Sequence, residues 1–321
     1  MTGGWLARFL LGRLLVLVPL LLLISLGVFS LLQLAPSTPE RVLLGGRPAT
    51  PEVLDAIRER YHLDDPFLIQ YGRWLLGVIQ LDFGTSIRAA EPVLPMIIRR
   101  LDITLFLGAF GFLIALVVGL LMGIVAALRR GTVLDRLLVA VSVMGVSAPA
   151  FASGILLLYL FGVVLDFFPV FGAGRGFVDR LWHLTLPAIA LALSAMALIV
   201  KVTRAALIEE LDRDYVAFAR ARGLSFRRVL FGYALRNALV SVVTASGLVL
   251  IYMLTGAVLV EVTFSLPGVG SLLVDAVQGL DIPLVQGLVI VLAVFIVVVH
   301  LVIDILYRLI DPRIRFGGAH G

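Results

Sequence analysis

Few residues in this chain could perform chemistry. None of its 321 residues is cysteine, so disulfides, thiolate-bound zinc and thiol nucleophiles are excluded. The four histidines, His62, His183, His300 and His320, are scattered without metal-ligand spacing. No Ser/His/Asp constellation of an intramembrane enzyme stands out. A phosphate-cradling loop of the form G-x-x-x-x-G-K-[ST] needs a lysine. The only lysine, Lys201, follows Leu198-Ile199-Val200 with no glycine near it, so no standard nucleotide-binding loop is present. His300 and Asp304 are four apart on one helical face and read as a structural pair, with a proton relay as the sharper alternative. Glu261 and Asp166 fall at the outer boundary of apolar runs, where solvation is expected. What remains is cationic: Asp214–Leu239 carries Arg220, Arg222, Arg227, Arg228 and Arg236 between two long uncharged runs.

The elements that must position this segment are membrane helices. Hydrophobic residues make up 61% of the chain and the mean hydropathy is +1.10, more apolar surface than a soluble core of this length can bury. Crossing ~30 Å of hydrocarbon takes ~17–25 helical residues. Uncharged runs of that length occur at Leu14–Leu32, Ile103–Leu128, Leu137–Leu165, Leu184–Val200 and Ala238–Val260; a sixth, Pro283–Ile303, is interrupted only by His300. Lipid offers no backbone partners, so all six are predicted to be helices. The first is longer than a signal-peptide core and Pro36 follows its one plausible cleavage point, so it is expected to remain an uncleaved span.

Six crossings leave both termini on one side. Arg8, Arg13, Arg129, Arg130, Arg136, Arg204, Arg213, Arg308, Arg313 and Arg315 all fall on that side, together with the five arginines above. Glu261–Ile282 has no Lys or Arg, and Asp166–His183 has only Arg175 and Arg180. This bias predicts cytoplasmic termini and a cytoplasmic Asp214–Leu239 segment. Gln33–Asp102 mixes eight arginines with nine acidic residues, and connections this long translocate largely regardless of charge. The net charge of +5 and pI near 10.0 therefore reflect topology, and no nucleic-acid partner is expected.

The organisation expected is an N-terminus and first span (1–32), an extracytoplasmic helical region (33–101), a five-helix core (102–311) containing the basic segment (212–238), and a tail (312–321). In the outer region Thr50-Pro51-Glu52 reads as a helix start with a capping hydroxyl. Leu54, Ile57 and Tyr61 share one face of that helix, and Phe67, Tyr71, Trp74, Leu75 and Val78 form a second apolar stripe. This region could lie on the bilayer as a cap or serve as a docking platform. Within the spans, Gly119 and Gly123 form a small-xxx-small face for close helix approach, and Pro149 is expected to kink the third span.

Gly223 splits the basic segment. Asp214–Arg222 reads as a short helix with an acidic start and basic end, closed by Gly223 as a left-handed C-terminal cap. Ser225 could cap a second helix whose apolar stripe is Phe226, Val229, Leu230, Tyr233 and Ala234. A basic amphipathic stretch would ordinarily ride on anionic headgroups. Such a helix does not need a capped corner in its middle.

The run Asp214-Tyr215-Val216, Ala219-Arg220-Ala221-Arg222-Gly223-Leu224 and Ala234-Leu235-Arg236-Asn237-Ala238 resembles the cytoplasmic coupling loop of ABC-importer permeases of the dipeptide/oligopeptide/nickel branch. Anchored on Gly223, the general Glu-Ala-Ala motif falls on Ala217, Phe218 and Ala219, with its Glu and later Pro missing, as is usual for the peptide branch. The resemblance extends over nearly the whole chain. It includes His62-Leu63-Asp64-Asp65-Pro66 with Gln70-Tyr71, Asp82-Phe83-Gly84-Thr85-Ser86, Leu266-Pro267-Gly268-Val269-Gly270, Asp281-Ile282-Pro283 with Gln286-Gly287, and Asp311-Pro312-Arg313-Ile314-Arg315.

The resemblance implies an all-α membrane protein with six transmembrane helices in a type I ABC importer permease fold, seated in a bacterial plasma (inner) membrane. It implies a second homologous permease, two cytosolic P-loop ATPase subunits and an extracytoplasmic substrate-binding protein, with ATP and Mg bound by the ATPases and no cofactor or catalytic residue in this chain. Asp214, Tyr215, Val216, Phe218, Ala219, Arg220, Ala221, Arg222, Gly223 and Leu224 are the expected coupling residues. Peptides or a related small solute are the implied cargo. The competing class is an ion-coupled secondary transporter or channel working without ATPase partners. No span carries the dense charges expected of an ion-coupled path.

Overall fold

The computed structural model describes residues 3–34, 44 and 50–310, and these are almost entirely helical. In chain order the helices are α1 (Gly3–Leu34), α2 (Pro51–Tyr61), α3 (Phe67–Ile79), α4 (Val93–Leu128) and α5 (Val133–Ser147). Then come α6 (Ala150–Leu157, continued by a π-helical stretch Leu158–Val164), α7 (Gly176–Leu211) and α8 (Asp214–Ala221). A short α9 (Phe226–Val229) runs through a π-helical stretch, Leu230–Ala234, into α10 (Leu235–Thr263), followed by α11 (Val269–Gln278) and α12 (Ile282–Ile310). Among the described residues five helices are long and apolar enough to cross a membrane, and α5 with α6, bent by 101°, makes a sixth when the pair is counted as one span. The break falls at Ala148-Pro149, where Ala148 is extended and Pro149 offers no N–H to continue the ladder.

The chain divides into two compact units, Met1–Asp102 with Val269–Leu301, and Ile103–Gly268 with Val302–Gly321. In the second unit α7 is the hub: 72% of its apolar window is buried, against 17–39% for the other unbroken spans. Nearly half of its buried positions are small, including Ala188, Ala190, Ala192, Ser194, Ala195 and Ala197. Small side chains let neighbouring backbones approach closely, the main source of helix association where water is absent. Neighbours answer with glycine. A Cβ on Gly119 would lie 3.0 Å from the Ile199 side chain, one on Gly123 2.5 Å from Thr203, and one on Gly145 2.7 Å from the Leu193 carbonyl oxygen. The small-xxx-small face of α4 thus packs on α7.

Glu261 departs from expectation. It is fully buried rather than solvated, and Thr104 Oγ1 donates to its Oε1 at 2.6 Å. The chain reverses after α10 through Ser265, whose φ is 51°, and Gly268 comes so close that a Cβ there would sit 2.2 Å from the carboxylate. Hydropathy marks where the apolar run stops, but not that the next turn folds back over its last charge. Asp166 is exposed, as expected.

In the unit containing the outer connection, α3 packs its aromatic stripe on α1. Phe29 is ringed by Phe67, Tyr71 and Trp74 at centroid distances of 5.5, 5.7 and 5.4 Å, and Tyr71 Oη shares a 2.7 Å hydrogen bond with Ser25. Gln70 Nε2 donates to the Leu63 and Asp65 carbonyls, which fixes the turn before α3. Two of the sequence signatures meet at Asp281, which is buried and accepts from Ser86 Oγ (2.5 Å) and from the Ile87 and Arg88 amides (3.1 and 3.2 Å). Thr50 precedes α2 in extended conformation, with Pro51 as the first helical residue, but its hydroxyl does not cap the backbone. The Thr50 side chain instead bonds Glu52 and holds that carboxyl below its ordinary pKa. His300 Nδ1 lies 2.9 Å from the Ile296 carbonyl oxygen one turn back.

These contacts set two expectations for thermal unfolding of the detergent-solubilised chain. Gly123→Leu should lower stability by about 1–3 kcal/mol, because the added atoms must displace Thr203. Gly108→Ala, on the same helix with open space at its Cβ, should leave the midpoint unchanged or raise it. Both substitutions gain helix propensity, so an equal loss in both would show that the cost does not arise from the approach of α4 to α7. Thr104→Val should be destabilising by about 1–3 kcal/mol, since it removes a bond to the buried Glu261 carboxylate.

Candidate coupling segment

An eight-residue helix is too short to persist by itself in water, so α8 depends on what holds it. Its C-terminus is closed by a Schellman motif: Gly223 N–H donates to the Arg220 carbonyl (2.9 Å) and Leu224 N–H to the Ala219 carbonyl (3.2 Å). Gly223 has φ 78°, a conformation that costs any side chain, and nothing lies within 4 Å of a Cβ added there. The glycine is required by backbone geometry rather than by crowding. Asp214 opens the helix and Arg220 lies in its last turn, each at the dipole end that favours its charge.

Two residues of one face anchor α8 in the chain's own core. Val216 and Ala219 are buried with Leu207, Val229, Leu230, Ala234, Ala238 and Ala127. Tyr215 is half-buried and adds a polar tie. Its hydroxyl donates to Glu210 Oε2 at the end of α7 and accepts from Asn237 Nδ2 (3.1 Å) at the start of α10. Burial raises the Tyr215 pKa, and the adjacent Glu210 carboxylate raises it further, so the hydroxyl keeps its proton. Arg130–Asp212 (2.8 Å) and Arg213–Glu209 (2.6 Å) are exposed pairs that add little.

The ten expected residues therefore have different roles. Val216 and Ala219 face inward, Tyr215 and Leu224 are half-buried, and Asp214, Phe218, Arg220, Ala221, Arg222 and Gly223 are exposed. Phe218 stands out with 71% of its surface open. The segment beyond Gly223 differs from the sequence reading. Ser225 sits at the helix start in extended conformation without a side-chain capping bond. The second helix is the leading end of the long α10 span, not a separate short helix. Its stripe is half realised: Val229, Leu230 and Ala234 are buried, while Phe226 and Tyr233 remain exposed. The π-helical stretch Leu230–Ala234 makes the join.

One support was not seen in the sequence. Arg204 of α7 forms a bidentate pair with Asp135 of α5, Nε to Oδ1 at 2.6 Å and Nη2 to Oδ2 at 2.8 Å. Asp135 also accepts from the Gly131 amide at 2.9 Å, and its own amide donates to Thr132 Oγ1. The Thr132-x-x-Asp135 spacing does signal a helix start; the distant arginine leaves no local trace. Among the described residues no group of three or more His, Asp or Glu side chains could hold a metal ion.

Comparison with known proteins fits this geometry. Residues 119–316 match the family described as "Binding-protein-dependent transport system inner membrane component", and residues 6–108 match the N-terminal region described for such membrane components. A Brucella abortus (strain 2308) protein named for a peptide transport system permease is 38% identical over 303 residues, 93% of this chain and 96% of that protein. The glutathione transport system permease protein of Escherichia coli (strain K12) is 36% identical over 309 residues, 96% and 99% of the two chains. Among solved structures, an inward-facing MetNI methionine ABC transporter chain shares the fold at TM-score 0.58 and 18% identity, over 69% of this chain and 99% of that one. With more than half its length matched by the family model, the chain belongs to the binding-protein-dependent transport system inner membrane components: it is a multi-pass permease subunit of an ABC importer.

Proposed function

We propose that this chain forms half of the translocation path of an ATP-driven importer for peptides or a related small solute, and that α8 passes the ATPase stroke into the bundle. The observation that carries the proposal is the two-faced build of α8. One face is fixed by Val216, Ala219 and the Tyr215 hydroxyl, and the other presents Phe218, Arg220 and Arg222 unburied. An exposed phenylalanine on a rigid, capped helix is suited to filling an apolar groove on a partner, with the two arginines as polar rim anchors. The Asp135–Arg204 pair and the Glu210–Tyr215–Asn237 chain would carry displacement of α8 into α5, α7 and α10.

In this reading the termini and α8 are cytoplasmic, the chain is non-catalytic, and it works with a second permease, two ATPases that bind ATP and Mg, and an external binding protein. The charge bias of the connections supports the orientation. Relatives named for peptide and for glutathione transport, each matched over more than nine-tenths of both chains, support the cargo class.

The decisive measurement is ATPase stimulation by substrate-loaded binding protein in the reconstituted complex. Phe218→Ala should weaken ATPase association by about 2 kcal/mol, roughly 30-fold, and abolish stimulation while the permease still inserts. Gly223→Val should also uncouple, because a β-branched residue at φ 78° must shift the corner. Full stimulation in both variants would remove α8 from the coupling role.

A further inference from the structure

We infer that the cavity between α5, α7 and α10 is a carboxylate-recognition site, with Lys201 as the cationic partner and Tyr252 as a second donor. The inference rests on the importer reading for the identity of the solute and adds the chemistry by which this chain would hold it.

The cavity has a volume of about 420 Å³, within the ~300–1,000 Å³ typical of small-ligand sites. Its walls are valine, alanine and leucine side chains, and its polar groups are Ser147, Ser194, Lys201 and Tyr252. Lys201 is the only lysine in the chain and follows directly on the uncharged run Leu184–Val200. Among the described residues its ammonium has no ion pair or hydrogen bond, and neither has the Tyr252 hydroxyl. No acidic residue lines the cavity. Arg204, one turn further along α7, is held by Asp135. Of these two cations of α7, Lys201 is therefore the one without a partner; it is exposed beside the cavity, as is Tyr252, so both donors are open to a ligand seated there.

The two serines narrow the ligand class. Ser194 Oγ donates to the Leu191 carbonyl (2.9 Å) and Ser147 Oγ to the Val143 carbonyl (3.0 Å), so each hydroxyl proton is engaged and each oxygen is left as an acceptor. The site offers a cation and a phenol for a carboxylate, two acceptors for amide or ammonium N–H, and aliphatic walls. That set suits a short peptide, whose N–H groups and side chains would meet the acceptors and the aliphatic walls, better than a small inorganic anion with no apolar part. The break at Ser147-Ala148-Pro149 borders the cavity and is fixed against α7 by the approach of Gly145 to the Leu193 carbonyl. Interrupted helices at such depth are tolerated where they line a cavity.

Lysine can also snorkel to a lipid phosphate, which would satisfy the same charge. Because Lys201 is the only lysine, reductive ¹³C-methylation of the full chain in dodecylmaltoside yields one side-chain resonance beside the N-terminal amine, and methylation keeps the charge. Alanyl-alanine, trialanine and glutathione are titrated, with the C-terminal amides of the first two as controls, against inorganic phosphate and phosphatidylglycerol. The expected result is a saturable shift of the Lys201 signal with at least one of the free acids. The matching amide should bind about tenfold or more weakly, since a charge-assisted bond is lost. Tyr252→Phe should weaken binding of the acid and leave the amide unaffected. A shift with phosphatidylglycerol alone, equal shifts for acid and amide, or no shift with any probe would each overturn the assignment. A carboxylate-dependent shift in a complex that imports no peptide would leave the site standing and sink the cargo reading instead.

Discussion

Helices in lipid gain nothing from hiding apolar surface from water, so the core of this permease depends on how closely other helices can approach α7. Its alanines and Ser194 leave the backbone accessible, and Gly119, Gly123 and Gly145 on its neighbours reduce the side-chain bulk at the contacts. Dispersion and close backbone contact then hold helices that would otherwise be equally content in hydrocarbon. Polar pairing adds to this at two levels: Thr104 with Glu261 beside the turn after α10, and Arg204 with Asp135 toward the arginine-rich end. In each, a polar group that would be costly to bury alone has a hydrogen-bond partner.

The coupling role proposed for α8 asks the same rigidity of it. A lever must not yield before its load moves, and a free eight-residue helix would yield. Here the Schellman cap ends the helix sharply, Val216 and Ala219 key it into the core, and Tyr215 ties it to the helices on either side. The residues that make α8 stiff are thus distinct from those it leaves exposed. The resemblance motif runs over both kinds, and burial separates them.

Features that depend on one stretch of chain were legible in advance. The spans, the kink at Pro149, the glycine face of α4 and the left-handed Gly223 follow from hydropathy, a missing N–H, missing side chains and a positive φ. Features that depend on a remote partner were not. Nothing near Glu261 announces that Thr104 and Gly268 will enclose it, and nothing near Asp135 points to Arg204. Ser225 shows the limit of a local rule: its residue type suits a cap and it stands at the helix start, but its side chain makes no capping bond, and the helix runs on into a long apolar span.

Composition and pattern by themselves determined that this protein lives in lipid, where its apolar spans fall, where its arginines gather, and that the standard lysine-bearing phosphate loop does not occur in its sequence. These are properties of single segments facing a known solvent, so each can be read without its neighbours. Tertiary structure decided which face of α8 is spoken for, that the aromatic stripe of α3 packs on Phe29, and that Lys201 and Tyr252 border one cavity with no partner among the described residues. Those outcomes are set by contacts between residues tens to hundreds of positions apart, and the free energy of such contacts depends on approach distances that no local pattern contains.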